Sequence, residues 1–174
     1  MKKIIYSSIS VVLLLFALSC ASQSELSEET VDRLVSSEQF TFLGEKAHPM
    51  GGDITNVLTS MRSSGILDLT HGDGIVFKDS IAQVHLPYFG RVYSPSYDNT
   101  RSAFIFESKE FDFNKVKNDK GVWIVRFSPK DQRHIRHMQL EIFKNGTASL
   151  NVDANDRQSI SYSGRIAENT AVKK

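Results

Sequence analysis

Residues 139–153, QLEIFKNGTASLNVD, decide the predicted fold. Apolar residues occupy every second position on both sides of Asn145-Gly146: Leu140 and Ile142 before it, and Ala148, Leu150 and Val152 after it. This alternation is typical of strands with one buried and one wet face, because successive side chains point to opposite sides of a sheet. Asn-Gly favours a two-residue type I′ turn, since both residues tolerate positive φ. The stretch therefore predicts an antiparallel hairpin.

The same period of two recurs over most of the chain. It is found at residues 40–42, 111–115 and 160–162, while residues 103–106 and 122–127 are more continuously apolar and suit central strands. Short turn signals separate these runs, and short connections join antiparallel neighbours. The sequence therefore predicts a mainly β fold, an antiparallel meander of about eight to ten strands that closes into a barrel-like sheet or folds into a sandwich. Periodicity does not distinguish these two arrangements.

One short helix is predicted before the first strand. Leu26, Thr30 and Leu34 follow one another at intervals of four in residues 22–37. Acidic residues fall in the opening turns, where the helix dipole favours them: Glu25, Glu28 and Glu29. Because the apolar stripe is narrow, a partly frayed tether is an alternative interpretation of residues 22–37.

The N-terminus has the organisation of an export signal. Lys2 and Lys3 precede an apolar stretch, residues 4–18, that is too short to span a bilayer, which takes about twenty apolar residues. Residues 17–20, Ala-Leu-Ser-Cys, resemble a lipobox, in which the cysteine receives a lipid. An ordinary cleavage site near Cys20 is the alternative. Cys20 is the only cysteine, so an internal disulfide is impossible, and a free thiol would be unusual in an oxidising compartment.

These features divide the chain into four parts. Residues 1–19 are the predicted signal peptide, and residues 20–37 carry the lipidated cysteine and the short helix or tether. A single β-rich domain is expected over 38–166, followed by a flexible tail over 167–174. The 21 basic and 20 acidic side chains nearly balance, so the chain lacks the concentrated basic face that nucleic-acid binding needs.

The candidate binding residues are aromatic and arginine side chains from two unusual segments: Tyr88, Phe89, Arg91, Tyr93, Arg157 and Tyr162. Tyrosine and arginine bind ligands by stacking, through hydroxyls and through the planar guanidinium. Packing at one end of the sheet explains the same residues without a ligand. If Arg91 and Arg157 converged, they would form an anion site.

No catalytic, metal or cofactor motif is found in the sequence. It has no G-x-S-x-G elbow and no phosphate-binding glycine loop. Glu107 and Glu110 flank a predicted turn, where solvated side chains are expected. His134 and His137 are three residues apart in a predicted strand and would face opposite sides. We therefore expect no metal and no cofactor. The sequence offers no positive case for an enzyme, although a missing motif does not exclude one.

Two motifs resemble a known family. LPYFGRVYS at 86–94 and NDRQSISYSG at 155–164, together with Gln39–Phe42 and His48-Pro49, resemble exported lipoproteins of the Bacteroidetes known as domain of unknown function 4251. The resemblance spans about residues 38–166. It implies a β-rich, one-domain envelope lipoprotein and assigns no activity.

The expected function is that of a non-catalytic binding or structural module. Its expected partners are the membrane, through the lipid anchor, and an unknown envelope protein or small ligand. Residue 21 is alanine and not the aspartate that commonly retains lipoproteins at the inner membrane, so we expect outer-membrane anchoring with the domain facing the periplasm.

Two alternatives remain at the sequence level. A small-ligand carrier would need a barrel cavity lined by residues such as Phe111, Phe113 and Trp123. An unrecognised envelope hydrolase would need a pocket that gathers Tyr88, Arg91 and Arg157 with a carboxylate or histidine.

Overall fold

A computed structural model describes residues 26–50, 67–70, 72–93 and 103–169. The predicted signal peptide, Cys20 and residues 170–174 lie outside the described residues. The described part contains one helix, α1 (Glu28–Ser37), and ten strands: β1 (Phe40–Pro49), β2 (Leu67–Asp68), β3 (Gly74–Lys78), β4 (Ile81–Pro87), β5 (Ala103–Ser108), β6 (Phe111–Lys117), β7 (Trp123–Pro129), β8 (Ile135–Ile142), β9 (Thr147–Ala154) and β10 (Ile160–Ala167).

The strands form one antiparallel sheet in the order β5-β4-β3-β1-β10-β9-β8-β7-β6, and the short β2 pairs with β1. Most neighbours in the sheet are also neighbours in the chain, as in a meander. The exceptions are the pair β1 and β3, which skips the short β2, and the pair β1 and β10, which joins the first strand to the last. The sheet consequently curls into a nearly closed barrel, and β5 and β6 are its two edges. The mainly β meander is confirmed, in its barrel-like form.

Aromatic rings fill much of the barrel interior. The ring of Phe77 lies 5.1 Å from that of Phe40 and 5.4 Å from that of Phe127, and all three side chains are buried. Edge and tilted contacts at this spacing add to the free energy gained by burying the rings. The inward-facing apolar residues of the period-two pattern, such as Leu140 and Leu150, are fully buried in the same core.

Helix α1 packs against this core at one end of the barrel. Its buried residues are Val31, Leu34 and Val35, which belong to the predicted apolar stripe. The Ser27 hydroxyl accepts a hydrogen bond from the Thr30 backbone N–H, an N-cap that satisfies one of the free donors of the first turn. Glu38 ends the helix at φ 58°. The predicted helix is confirmed and is docked on the barrel.

A polar contact between partly exposed side chains connects α1 to the barrel wall. Lys117 Nζ lies 2.8 Å from both carboxylate oxygens of Asp32, and Trp123 Nε1 donates to the same carboxylate at 2.7 Å. These two donors lower the pKa of Asp32, and the carboxylate in turn raises the pKa of Lys117. The helix orientation is therefore set by side chains of β6 and β7.

The predicted tail begins with ordered residues. Ala167 ends β10, and the Asn169 side chain then donates to the Phe77 carbonyl oxygen and accepts from the Thr41 hydroxyl, both at 2.8 Å. Glu168 forms an ion pair with Arg33 of α1. The last strand is thus tied to the helix and to β1 and β3.

The turn between β8 and β9 differs from the prediction. Gly146 has φ 83°, but Asn145 is not in the positive-φ region that a type I′ turn requires. Gly146 N–H donates to the Phe143 carbonyl at 2.9 Å, and Phe143 N–H donates to the Thr147 carbonyl at 2.9 Å. The loop is a three-residue connection that ends in a glycine bulge, because the Asn145 side chain instead accepts hydrogen bonds from Thr147.

The two positive φ angles of a type I′ turn occur in another hairpin. Asp79 has φ 51° and Ser80 has φ 60°, and they connect the directly paired residues Lys78 and Ile81. The β3–β4 connection therefore has the two-residue length that the sequence predicted for β8–β9.

Glycine permits the close approach of β10 to β1. Gly164 faces Gly44 across the two strands, and the register shifts immediately after Gly44. A Cβ atom on Gly164 would lie 2.0 Å from the Leu43 carbonyl oxygen, far inside van der Waals contact. Pairing of the first and last strands thus requires a residue without a side chain at position 164.

We expect Gly164→Ala to destabilise the barrel by about 1–3 kcal/mol, the usual range for overpacking. Ser161→Ala is the control, since residue 161 lies on the outward face of the same strand and its change should cost less than about 0.5 kcal/mol. Urea unfolding of both variants measures the two free energies. Equal stabilities would contradict the close approach of β10 to β1.

Candidate functional site

The two motif segments singled out in the sequence meet at the end of the barrel opposite α1. Val92, in the segment 88–93, forms an antiparallel bridge with Arg157, in the segment 155–158. Backbone hydrogen bonds of 2.8 and 3.0 Å flank this bridge. The Tyr88 hydroxyl also lies within 3.0 Å of a carbonyl oxygen from each segment. The two segments are therefore held together mainly by their backbones.

Arg157 is the centre of this junction and is 2% exposed. Its Nε lies 3.0 Å from one carboxylate oxygen of Asp156, and its Nη2 lies 3.1 Å from the other. The guanidinium carbon lies 5.0 Å from the ring centre of Tyr88 and 4.8 Å from that of Phe104. Burial raises the pKa of Asp156, but the hydrogen bonds and positive charge of Arg157, together with the charge of His134, hold that pKa below its ordinary value. The buried Arg157 guanidinium therefore stabilises the packing of this end of the barrel.

The remaining candidate residues are placed differently. Tyr162 is fully buried and donates to the Pro87 carbonyl at 2.8 Å, and burial raises the pKa of Tyr162. Phe89 is partly buried against the core. Arg91 and Tyr93 are exposed, Tyr93 by 62%. The structure therefore brings Tyr88, Arg157 and Tyr162 into the interior and leaves Arg91 and Tyr93 at the surface.

The positions of these residues can be compared with two hypotheses from the sequence, an anion site and a hydrolase. The backbones of residues 91 and 157 do converge, but the Arg157 guanidinium is buried against a carboxylate of its own chain while Arg91 is exposed. Tyr88, Arg157 and Asp156 do gather, and they do so as packed, hydrogen-bonded side chains. These side chains pack against one another, and their geometry supports neither the anion site nor the hydrolase.

A polar groove of about 570 Å³ lies on the outer wall of the barrel. Its lining comes from the outward positions of β8, β9 and β10 and from the end of β1: Met50, His137, Gln139, Glu141, Ser149, Asn151, Asp153, Ser159 and Ser161. Gln139 is paired with Asn151, which is paired with Ser161, so polar side chains from three strands form a continuous row. Sequence reasoning missed this site, although its residues are the polar half of the period-two pattern.

The groove combines hydrogen-bond donors and acceptors. Asp153 accepts from Arg136 at 3.1 Å and from the Ser159 hydroxyl at 3.4 Å, and its carboxylate lies 3.8 Å from His137 Nδ1. The amides of Gln139 and Asn151 offer both donors and acceptors beside this carboxylate. The arrangement is suited to binding a polar surface.

Two of the three aromatic residues proposed to line a carrier cavity pack against other rings, and the third, Trp123, donates to Asp32 of α1. Phe113 lies 5.3 Å from Phe77, and Phe111 lies 5.0 Å from Phe127. The recess that Phe111 and Phe113 line measures about 70 Å³, whereas ligand pockets commonly measure about 300–1,000 Å³. At this place the barrel is filled by its own side chains.

Two further features concern only the described residues. Over the ranges 26–50, 67–70, 72–93 and 103–169, no three histidine, cysteine, aspartate or glutamate side chains group as metal ligands would. Within that same part of the chain, no helix is both long enough and apolar enough to cross a membrane.

These elements define an antiparallel, nearly closed barrel with one docked helix and a polar groove on its wall. The sequence profile of the family described as domain of unknown function (DUF4251) matches residues 22–166, and the chain belongs to that family. The crystal structure at 1.95 Å of a DUF4251 family protein from Bacteroides eggerthii DSM 20697 is similar, with a TM-score of 0.55 and 11% sequence identity over 83% of this chain and 89% of that one. That likeness concerns the fold. No curated protein matches this chain.

The packing role of Arg157 predicts a loss of stability in Arg157→Lys. Lysine keeps the charge but loses the bidentate contact to Asp156 and the planar stacking on two rings, which should cost about 2 kcal/mol. Arg165→Lys is the matched control, because Arg165 forms an exposed ion pair with Glu45 whose change should cost less than about 0.5 kcal/mol. Thermal and urea unfolding measure both. A larger loss in the control would contradict this assignment.

Proposed function

We propose that this protein is an envelope lipoprotein, anchored through lipid on Cys20 to the outer membrane and facing the periplasm, whose barrel binds a partner without catalysing a reaction. Support for the anchor comes from the sequence of residues 1–20. The first described residue, Leu26, follows Cys20 closely and is hydrogen-bonded to the barrel. A lipid on Cys20 would therefore hold the barrel near the membrane surface.

The observation that carries the binding role is the polar groove. The groove is lined mainly by glutamine, asparagine, serine and acidic side chains of β8–β10, most of them only partly exposed. A concave row of amide, hydroxyl and carboxylate groups fits a partner that presents hydrogen-bonding groups of its own. The proposed partner is accordingly an envelope protein or another polar envelope component.

Binding in the groove does not require the candidate residues that are buried in the barrel. Tyr88, Arg157 and Tyr162 are buried at the barrel end, whereas the groove residues lie on the outer wall. Asn151 and Glu141 are exposed, although they lie on the same sheet as the buried Val152 and Leu140. Substitutions in the groove should therefore change binding while leaving the fold intact.

We expect Asn151→Trp to abolish partner capture. The indole would fill the groove, while stability should change by less than about 0.5 kcal/mol, as is usual for exposed positions. Asn114→Trp is the matched control, since Asn114 is also exposed but lies on β6, away from the groove. The measurement is recovery of cross-linked partners with the natively anchored protein after mild cross-linking of whole cells.

Loss of the same partner in Asn151→Trp, with retention in Asn114→Trp, would support binding in the groove. Equal recovery by both variants would place binding elsewhere. A purified protein that captured no reproducible partner but turned over a substrate would contradict the non-catalytic function itself.

A further inference from the structure

The outer wall of the barrel also carries an apolar patch at the end where α1 begins. Val116 is 64% exposed and is paired directly with Ile124 on the neighbouring strand. Phe143 is 42% exposed, and continuing the β7–β8 register by one residue places Val122 next to it. We define the apolar patch by these four residues: Val116, Val122, Ile124 and Phe143.

The chain enters the barrel beside this patch. Leu26 N–H donates to the Asn145 carbonyl at 3.2 Å, two residues beyond Phe143. The Leu26 side chain also covers Gly146, where an added Cβ would lie 3.1 Å from it. The connection to the proposed anchor therefore leaves from the same hairpin that exposes Phe143.

The length of the connection limits how far this hairpin can lie from a lipid on Cys20. Six peptide units separate Cys20 from Leu26, and an extended chain spans at most about 3.6 Å per residue. Leu26 therefore lies within about 22 Å of the acylated residue. The opposite end of the β8–β9 pair lies about 23 Å from this hairpin, at about 3.3 Å for each step along an eight-residue strand.

The chemistry of the barrel wall changes along this axis. Beyond the patch, β8 and β9 carry the polar residues of the groove, and the far end of the groove includes His137 and Asp153. Lys120 and Lys144 flank the patch and are exposed. Long lysine side chains beside apolar groups suit the headgroup region of a bilayer, where the stem is buried and the ammonium stays hydrated. Three acidic residues lie at the same end: Asp119, Glu28, whose carboxylate is 3.5 Å from Lys144 Nζ, and the exposed Glu141, which is paired with Ile124. Apolar burial and not net charge therefore favours the contact.

We propose that the apolar patch rests in the boundary between headgroups and acyl chains of the membrane that holds Cys20. This contact fixes the barrel with α1 and the β8–β9 hairpin towards the lipid and directs the groove away from it. The inference rests on the proposed lipid anchor. It adds a second membrane contact that holds the barrel in one orientation.

The test uses the full-length lipidated protein in vesicles of phosphatidylethanolamine and phosphatidylglycerol. Acylation consumes the thiol of Cys20, so an introduced cysteine is the only free thiol and takes an environment-sensitive fluorophore. Phe143→Cys and Val116→Cys report on the patch, and the second variant keeps Phe143. Tyr93→Cys is the control, because residue 93 is 62% exposed at the opposite end of the barrel. Brominated lipids then quench any fluorophore in the acyl region.

The expected result is a blue shift and loss of most emission for labels at 143 and 116, with no quenching at 93. Vesicle flotation is measured on the same samples. Floating protein whose three labels are quenched equally, or not at all, would overturn the membrane contact and leave the anchor intact. Protein that fails to float would overturn the anchor, and the contact with it.

Discussion

Pairing between the first strand and the last is the constraint on which the rest of this structure depends. β1 and β10 are joined from Thr41–Ala167 to Pro49–Ile160, so residues more than a hundred positions apart become neighbours. This pairing converts an open meander into a nearly closed barrel. It also fixes α1, which directly precedes β1, at one end of the barrel and makes β8–β10 a continuous wall. Gly164 permits the pairing because it brings no side chain against β1.

The two barrel ends are held by different chemistry. At one end, the Asp32 carboxylate joins α1 to Lys117 and Trp123. At the other, the Arg157 guanidinium lies between two rings and binds Asp156. Packing thereby explains the buried residues of the two motifs, Tyr88, Arg157 and Tyr162, while Arg91 and Tyr93 remain exposed. The wall between the ends carries further exposed side chains. A polar groove and an apolar patch divide that wall, and the proposed function follows from this division.

The local pattern of apolar residues was enough to predict the strands and the helix. Alternation located the strands, and intervals of four residues located the helix, since both follow from where successive side chains point. Barrel closure was not predictable, because periodicity does not specify which strands pair. The turn at Asn145-Gly146 was predicted wrongly, since the Asn145 side chain bonds to Thr147. The groove was missed because Gln139 and Asn151 resemble any solvated residues until the register places them side by side.

We propose that a lipid on Cys20 attaches this barrel to its membrane, and metabolic labelling with a radioactive fatty acid would detect that lipid. The wild-type protein should be labelled and should fractionate with the outer membrane. Cys20→Ala should take up no label and should either be released as a soluble periplasmic form or persist as unprocessed precursor, with the barrel folded in both cases. A wild-type protein that takes up no label and fractionates as soluble would contradict the lipid anchor on Cys20.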